Sequence, residues 1–398
     1  MRNVAKLALI TIAAMTCFSL SAMAQANCPM GMQVRYNPSQ FNTMTGKGIC
    51  HLRLWDTQTS WIDLNGGAQG VYNWGTLDTM LKEANTLGVD VLYTFGKVPG
   101  WASSNPNDPN CKDGYHAGDC APPSDIDSGD NYFKSFVTAL MQHTGNKIAA
   151  FEMWNEPYNM PYWDGTPAQL ATLVADGAQI IRAMNPKAII ITPSISVWPN
   201  QQVFLQNFFT AAQGRVTFDV FGMHDYTWGG PAEKVVSEIG QVQTFQKAIG
   251  MQNVPLWGVE GSDKEWSSFT QQQKNDFITR YLTLELNNGS LRHYWYSWNT
   301  STVGGLIGTS GATVYATTSS WFNGRTPLGC SKVWSAVNNG YIYTCTLQDT
   351  TAHQIVWITS GSTTFPTNAS QYQTNDGVTH QVTGGSVPVN DSPVFILQ

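Results

Sequence analysis

Two carboxylates stand out because each closes a short apolar run. Phe151-Glu152-Met153-Trp154-Asn155-Glu156-Pro157 leads to Glu156, and Pro255-Leu256-Trp257-Gly258-Val259-Glu260-Gly261 leads to Glu260. Two carboxylates in one cleft can split the acetal linkage between sugars. One, protonated, gives its proton to the leaving oxygen, while the other, ionised, attacks or stabilises the positive sugar carbon. Groups that would serve this chemistry lie at comparable places. Arg53, in Arg53-Leu54-Trp55-Asp56, offers a cation that holds a nucleophile ionised, or else pairs with Asp56 at the surface. Tyr226, closing His224-Asp225-Tyr226, offers a hydroxyl to hold Glu260 for attack. His224 faces the same side, as a site residue or as a satisfied core histidine. Trp298, in Tyr294-Trp295-Tyr296-Ser297-Trp298-Asn299, presents an indole face on which a pyranose would stack, the alternative being plain core packing. Trp101, Trp163, Trp198 and Trp228 follow other apolar runs and would extend such a cleft. Under strict strand alternation Glu152 points inward, where a lone charge is costly, so it needs a partner such as Arg53. The same alternation turns Asn155 away from Glu156.

The elements that must position these residues repeat along the chain. Apolar, β-rich runs at Met32 to Asn37, Ile49 to Asp56, Asp90 to Gly96, Ile148 to Pro157, Ala188 to Ser196, Phe218 to Tyr226, Pro255 to Ser262 and Leu291 to Asn299 make eight candidate strands. Between them, helical periodicity appears at Leu77 to Leu87, Asn131 to His143, Pro167 to Ala183, Gln202 to Ala212, Glu233 to Ile249 and Thr270 to Asn287. This rhythm predicts an α/β fold, a (β/α)8 TIM barrel, whose strand ends build the active site. A doubly wound sheet is the rival, but no G-x-G-x-x-G or G-K-[ST] phosphate turn is present. On the barrel reading Glu156 follows the fourth strand and Glu260 the seventh, facing each other across the mouth. After Thr300 helical periodicity vanishes and short alternating runs appear at Gly340 to Leu347, His353 to Thr359, His380 to Val382 and Pro393 to Leu397. The expected organisation is a leader over 1–24, a barrel over 25–305 and a small antiparallel β-sandwich-like domain over 306–398, packed on the barrel.

Composition narrows the partners. Of 398 residues 42% are hydrophobic, enough for a large core, while only 12% are charged, and 36 Gly and 15 Trp stand among many neutral polar residues. That suits a neutral polar ligand. The formal charge of −6 and the absence of any Lys/Arg run speak against a nucleic-acid or anionic-membrane partner. Met1 to Ala24 reads as a secretory leader: Arg2 and Lys6, an apolar stretch, then Ala22-Met23-Ala24. Cys17 falls within it, leaving Cys28, Cys50, Cys111, Cys120, Cys330 and Cys345, an even set suited to disulfides. Local closure favours Cys111 with Cys120 and Cys330 with Cys345, which leaves Cys28 with Cys50. No C-x-x-C, H-E-x-x-H or clustered Cys/His spacing signals a metal or redox centre, and no cofactor is implied.

At Trp154-Asn155-Glu156-Pro157, Glu260, the Arg53 and His224-Asp225-Tyr226 strand ends and the trailing β region, the chain resembles the clan A glycoside hydrolases, and within them family 39. The resemblance spans most of the chain. It implies a retaining mechanism with Glu156 as acid/base, Glu260 as nucleophile, Asn155 as partner of the sugar 2-hydroxyl, and a tryptophan such as Trp298 flooring the subsite. Val259 departs from the Thr or Ser common before the nucleophile. The resulting expectation is a secreted glycosidase acting on a polysaccharide or oligosaccharide. A carbohydrate-binding protein on an inactivated barrel and a transglycosylase are the alternatives.

Overall fold

The computed structural model describes residues 28–109, 111, 116–196 and 201–398. The leader and Trp198 lie outside the described residues. Eight strands form one parallel sheet: β1 (Met30–Gln33), β2 (His51–Leu54), β3 (Asp90–Thr94), β4 (Ala150–Glu152), β5 (Ile189–Ile191), β6 (Phe221–Tyr226), β7 (Leu256–Ser262) and β8 (Ser290–Trp295). Their order is β5-β4-β3-β2-β1-β8-β7-β6. Parallel bridges Ile191 to Val220 and Ile195 to Met223 draw its two edges together into a nearly closed barrel. Each of the eight predicted strands has a counterpart, most of them trimmed at one or both ends, but β1 is shifted to start at Met30 rather than Met32 and β8 starts at Ser290 rather than Leu291.

The helices are α1 (Trp61–Asn65), α2 (Gly75–Leu87), α3 (Asn131–Thr144), α4 (Pro167–Met184), α5 (Gln202–Ala212), α6 (Val235–Ala248), α7 (Gln271–Asn287) and α8 (Gly311–Phe322). Local chemistry sets their ends. Thr166 and Gln169 form a reciprocal cap with Pro167 in the first turn of α4, and Thr270 with Gln273 does the same for α7. Gly88 stops α2 in the left-handed conformation. Buried Leu77, Met80, Leu81 and Ala84 give α2 the stripe its period predicts. Helix α8 is a departure from the sequence expectation. Its Thr- and Ser-rich stretch has weak intrinsic preference, and the helix forms because Val314, Tyr315, Trp321 and Phe322 are buried.

The remaining strands are β9 (Thr326–Ser335), β10 (Gly340–Gln348), β11 (Ala352–Ile358), β12 (Thr363–Pro366), β13 (Gln371–Thr374), β14 (Thr379–Gln381), β15 (Ser386–Val389) and β16 (Val394–Leu397). They make an antiparallel six-stranded sheet, β14-β13-β16-β11-β10-β9, and a β12-β15 pair. Disulfides join Cys28 to Cys50, Cys111 to Cys120 and Cys330 to Cys345, the pairing that local closure favours. The antiparallel sheet docks on the barrel helices. Trp321 of α8 stacks on Phe395 with centroids 5.3 Å apart and donates to Gln373 at 2.6 Å. Trp357 donates to Glu233 at 2.8 Å, and Asp276 of α7 accepts from Ser392 at 2.6 Å. Tyr343, Ile355, Trp357 and Phe395 therefore share one apolar cluster with the barrel helices.

A shared core predicts cooperative unfolding. Trp357→Ala should cost about 3–5 kcal/mol, and calorimetry should show one transition for the wild type; two separable transitions would contradict the shared core.

Candidate active site

The barrel interior has an apolar floor and a charged mouth. Leu92, Ala150, Ile191, Val220, Trp257, Val259 and Tyr294 pack together as the floor. Above them Arg53 is fully buried and every guanidinium nitrogen is engaged. Its Nε donates to Glu152 Oε2 at 2.7 Å and its Nη2 to Glu152 Oε1 at 3.0 Å, so that pair is bidentate. Nη1 donates to Glu260 Oε2 and to Gln33 Oε1, each at 2.6 Å, and Nη2 also reaches Asn155 Oδ1 at 2.8 Å. Glu152 thus has the partner that its inward placement demands, and Arg53 turns inward, away from a surface pairing.

Glu260 is held at both oxygens. Oε2 accepts from Arg53, and Oε1 accepts from the Tyr226 hydroxyl at 2.6 Å. A β-bulge orients it: the β6–β7 register slips between Met223 and His224, pairing Met223 with Gly258 and His224 with Glu260. Glu260 thereby faces inward beside His224. Burial pushes the Glu260 carboxyl up, but the charges of His224, Arg53 and Lys264 and the Tyr226 hydrogen bond outweigh it and hold it below its ordinary value. Burial, reinforced by Glu260, raises Tyr226 well above the usual tyrosine range, so its hydroxyl remains a donor.

Glu156 reaches the same space by a different route. Strand β4 ends at Glu152, and Glu156 adopts a left-handed backbone with φ of 40°. Alternation is broken there: Trp154 turns out to pack on Trp163, 5.2 Å between centroids, while Asn155 and Glu156 both face the mouth. Ser194 Oγ accepts from the Glu156 amide at 3.2 Å, and Asn159 Nδ2 donates to Glu156 Oε2 at 2.9 Å. Glu156 Oε1 lies 2.7 Å from His224 Nδ1, which is itself 3.8 Å from Glu260 Oε1. Donor atoms of Glu156, His224 and Glu260 all lie within 4.8 Å of one another. The Glu156 side chain is 17% exposed against 8% for Glu260, so it is the more open of the pair.

Burial alone would lower the His224 pKa, but Glu260, Glu152 and Glu156 surround the ring and bring it up to about 9. Burial likewise raises Glu152, and Arg53 with His224 overcomes this, bringing it down to about 2. Two cations and three carboxylates therefore share one pocket.

Six of the seven predicted site residues, Arg53, Asn155, Glu156, His224, Tyr226 and Glu260, converge at this mouth. Trp298 does not join them. It is 1% exposed and donates its indole N–H to Thr43 at 2.9 Å, because β8 ends at Trp295 and the following chain sends it into the core. Tyr296 lies beside the site instead, its ring 6.4 Å from that of Tyr226 and its hydroxyl donating to Asp56 at 2.9 Å. Lys264 lies over the Tyr226 ring at 3.5 Å. Of the loop tryptophans, Trp163 is buried against Trp154, Trp101 packs on Trp61 and Tyr132, and Trp228 is exposed. Tyr296, Asn159 and Lys264 were not singled out from the sequence. Tyr296 shared an aromatic run with Trp298, but nothing in that run marks which ring faces the mouth.

Residues 39–302 match the family model Cellulase (glycosyl hydrolase family 5). Comparison with curated proteins gives no match. Among solved structures, a family 39 glycoside hydrolase from Bacteroides cellulosilyticus is similar over 93% of this chain and 81% of its own, at 14% identity and a TM-score of 0.70. A family 39 β-xylosidase from Caulobacter crescentus covers 93% and 95% at 13% identity and 0.62. A family 30 endoxylanase from Clostridium papyrosolvens covers 93% and 96% at 17% identity and 0.60. These likenesses carry the fold.

The charge cluster sets a pH dependence of stability. His224 holds its proton more tightly folded than unfolded, so its contribution is complete below pH 6.5 and is lost as pH rises toward 9. Glu152 contributes fully above pH 4.5 and loses that contribution as pH falls toward 2. Urea unfolding should therefore show the alkaline loss, on the order of 2–3 kcal/mol, flattened in His224→Asn; an unchanged alkaline limb would contradict the assignment.

Proposed function

The chain belongs to the cellulase family, glycosyl hydrolase family 5, and from that premise we propose that it is a secreted retaining glycosidase in which Glu156 is the acid/base and Glu260 the nucleophile. It is a clan A glycosidase. The observation that carries the finer reading is the short reach between the two carboxylates, whose nearest donor atoms lie within 4.8 Å. Retaining enzymes bring the pair to about 5–5.5 Å, whereas inverting ones need about 6.5–9.5 Å to admit a water.

The division of roles follows from surroundings. Glu260, gripped by Arg53 and Tyr226, is kept ionised and aimed. Its attack on the anomeric carbon forms a glycosyl ester as the leaving oxygen takes a proton from Glu156. Glu156, more exposed and on an irregular strand end, has room to meet that oxygen and afterwards to take a proton from water. The water oxygen then bonds to the sugar and the ester bond to Glu260 breaks. Asn155, anchored through Oδ1 on Arg53, leaves its amide N–H groups for the sugar 2-hydroxyl. Carbohydrate is the partner this site suits. Three disulfides support an oxidising compartment outside the cytoplasm. The names of the β-xylosidase and endoxylanase neighbours place xylo-oligosaccharides and xylan first among substrates to assay.

Product release should be measured on aryl glycosides and polysaccharides. Both Glu156→Ala and Glu260→Ala should lose activity by roughly 100-fold or more. Azide should yield an inverted glycosyl azide from Glu260→Ala and a retained one from Glu156→Ala. Full activity in Glu260→Ala, or glycan binding without cleavage by the wild type, would overturn the mechanism; lengthened products would make it a transglycosylase.

A further inference from the structure

Behind Glu260, on the outer face of the same strands, lies a second cluster that the glycosidase chemistry does not use. The β7 bulge that turns Glu260 inward turns Gly258 and Gly261 outward, in register with Met223 and Asp225 of β6. Gly258 also pairs with His293 of β8. Without side chains on these glycines, α7 comes close. A Cβ on Gly258 would sit 2.5 Å from both Glu285 Oε1 and His293 Nδ1, and one on Gly261 would overlap Asp225 Oδ1 and the Tyr281 hydroxyl. Into this space point Asp225 from β6, Glu285 from α7 and His293 from β8, all at most 1% exposed.

Their polar atoms are orphaned. Both oxygens of Asp225, both of Glu285 and Nδ1 of His293 are buried without a hydrogen-bond partner. Neighbouring donors are spent elsewhere: the Tyr281 hydroxyl donates to the Asp225 carbonyl at 2.6 Å, and the Ser290 hydroxyl to the Arg292 carbonyl at 2.9 Å. His293 Nε2 faces the Gly261 carbonyl at 3.3 Å. A carbonyl only accepts, so Nε2 donates to it and Nδ1 is the ring atom turned into the cluster. Two carboxyl groups and an imidazole nitrogen converging in a dry space have to be neutralised, by protons or by a cation.

We infer that Asp225, Glu285 and His293 form a site for one divalent metal ion of the zinc type. One such ion neutralises both carboxylates and takes the imidazole lone pair. Donor atoms of the three residues lie within 4.8 Å of one another. His293 Nδ1 is 3.6 Å from Glu285 Oε1 and 4.0 Å from Asp225 Oδ1. These separations are too long for hydrogen bonds, yet two donors at about 2.1 Å from one tetrahedral ion lie roughly 3.4 Å apart. An imidazole with two carboxylates suits zinc or manganese over calcium or magnesium, which favour all-oxygen sets. Sequence spacing gave no sign of it, because the ligands come from three separate elements. The ion would tie β6, β8 and α7 together directly behind the inward face that carries His224 and Glu260.

The test uses the full chain purified after zinc-supplemented expression, with elemental analysis, thermal unfolding before and after dipicolinate treatment, and Co2+ titration read by visible absorbance. One equivalent of zinc, a fall in Tm on stripping and its recovery with stoichiometric zinc are expected. The cobalt band should persist in Glu156→Gln and weaken by more than roughly tenfold in affinity in Glu285→Gln and His293→Gln. A wild type without zinc whose Tm ignores both chelator and zinc overturns the site and leaves two protons to neutralise the cluster. Metal lost in Glu156→Gln but kept in Glu285→Gln also overturns it, by moving the ion to the other face. If the cluster variants do not fold, the wild-type zinc content and Tm, with the Glu156→Gln band, decide. Glycoside cleavage is scored separately, so either reading can fail alone.

Discussion

A guanidinium buried inside a parallel barrel governs this molecule. Arg53 cannot leave its charge unmatched, and the low-polarity floor beneath it supplies nothing. Its donors are met by Gln33 from β1, Glu152 from β4, Asn155 just beyond it and Glu260 from β7. One side chain on β2 thereby fixes the mutual position of strands that are remote in sequence. Removing any one acceptor would leave a buried charge short of a partner, whereas an apolar barrel filling would have been easier to fold. The cluster is better understood as a device for aiming two carboxylates than as a source of stability.

Much of this was legible in the sequence, and the boundary of what was legible has physical causes. Eight strands could be read because parallel strands buried on both faces form dense apolar runs, and the disulfides because close cysteines close short loops. The Arg53–Glu152 pair followed from the cost of a lone interior charge. What failed was periodicity at strand ends. The left-handed Glu156 places Asn155 and Glu156 together, against strict alternation, and the β7 bulge does the same for Glu260. Trp298 was misplaced for this reason, since beyond Trp295 no pattern relates residue number to facing. Helix α8 was missed because burial of Trp321 and Phe322, and not local preference, makes it a helix.

The bulge links the two faces of β7. A regular strand would have given Glu260 inward only at the expense of the spacing that leaves Gly258 and Gly261 outward. With it, His224 and Glu260 look into the barrel while Asp225 and Gly261, the next residues along, look toward α7. The two charged clusters are thus back to back across one layer of backbone. Tyr281 bridges them mechanically, holding the carbonyl of Asp225 between the two site residues His224 and Tyr226. Whatever neutralises the outer cluster therefore steadies the strand that carries the inner one.

Charge counting gives the inner cluster its logic on the proposed roles. Arg53 and protonated His224 face three carboxylates, so one further proton, the one that the proposed acid role of Glu156 calls for, brings the pocket to neutrality. When Glu260 becomes an ester the pocket loses a negative charge, and ionised Glu156 then balances the two cations together with Glu152. His224, touching Glu156 at 2.7 Å and standing 3.8 Å from Glu260, feels both changes. Its proton is held most tightly while Glu260 is a free carboxylate and less tightly once Glu260 is esterified, the half-cycle in which a base is needed. The same imidazole that balances the resting site thus couples the charge of the nucleophile to the protonation of its partner.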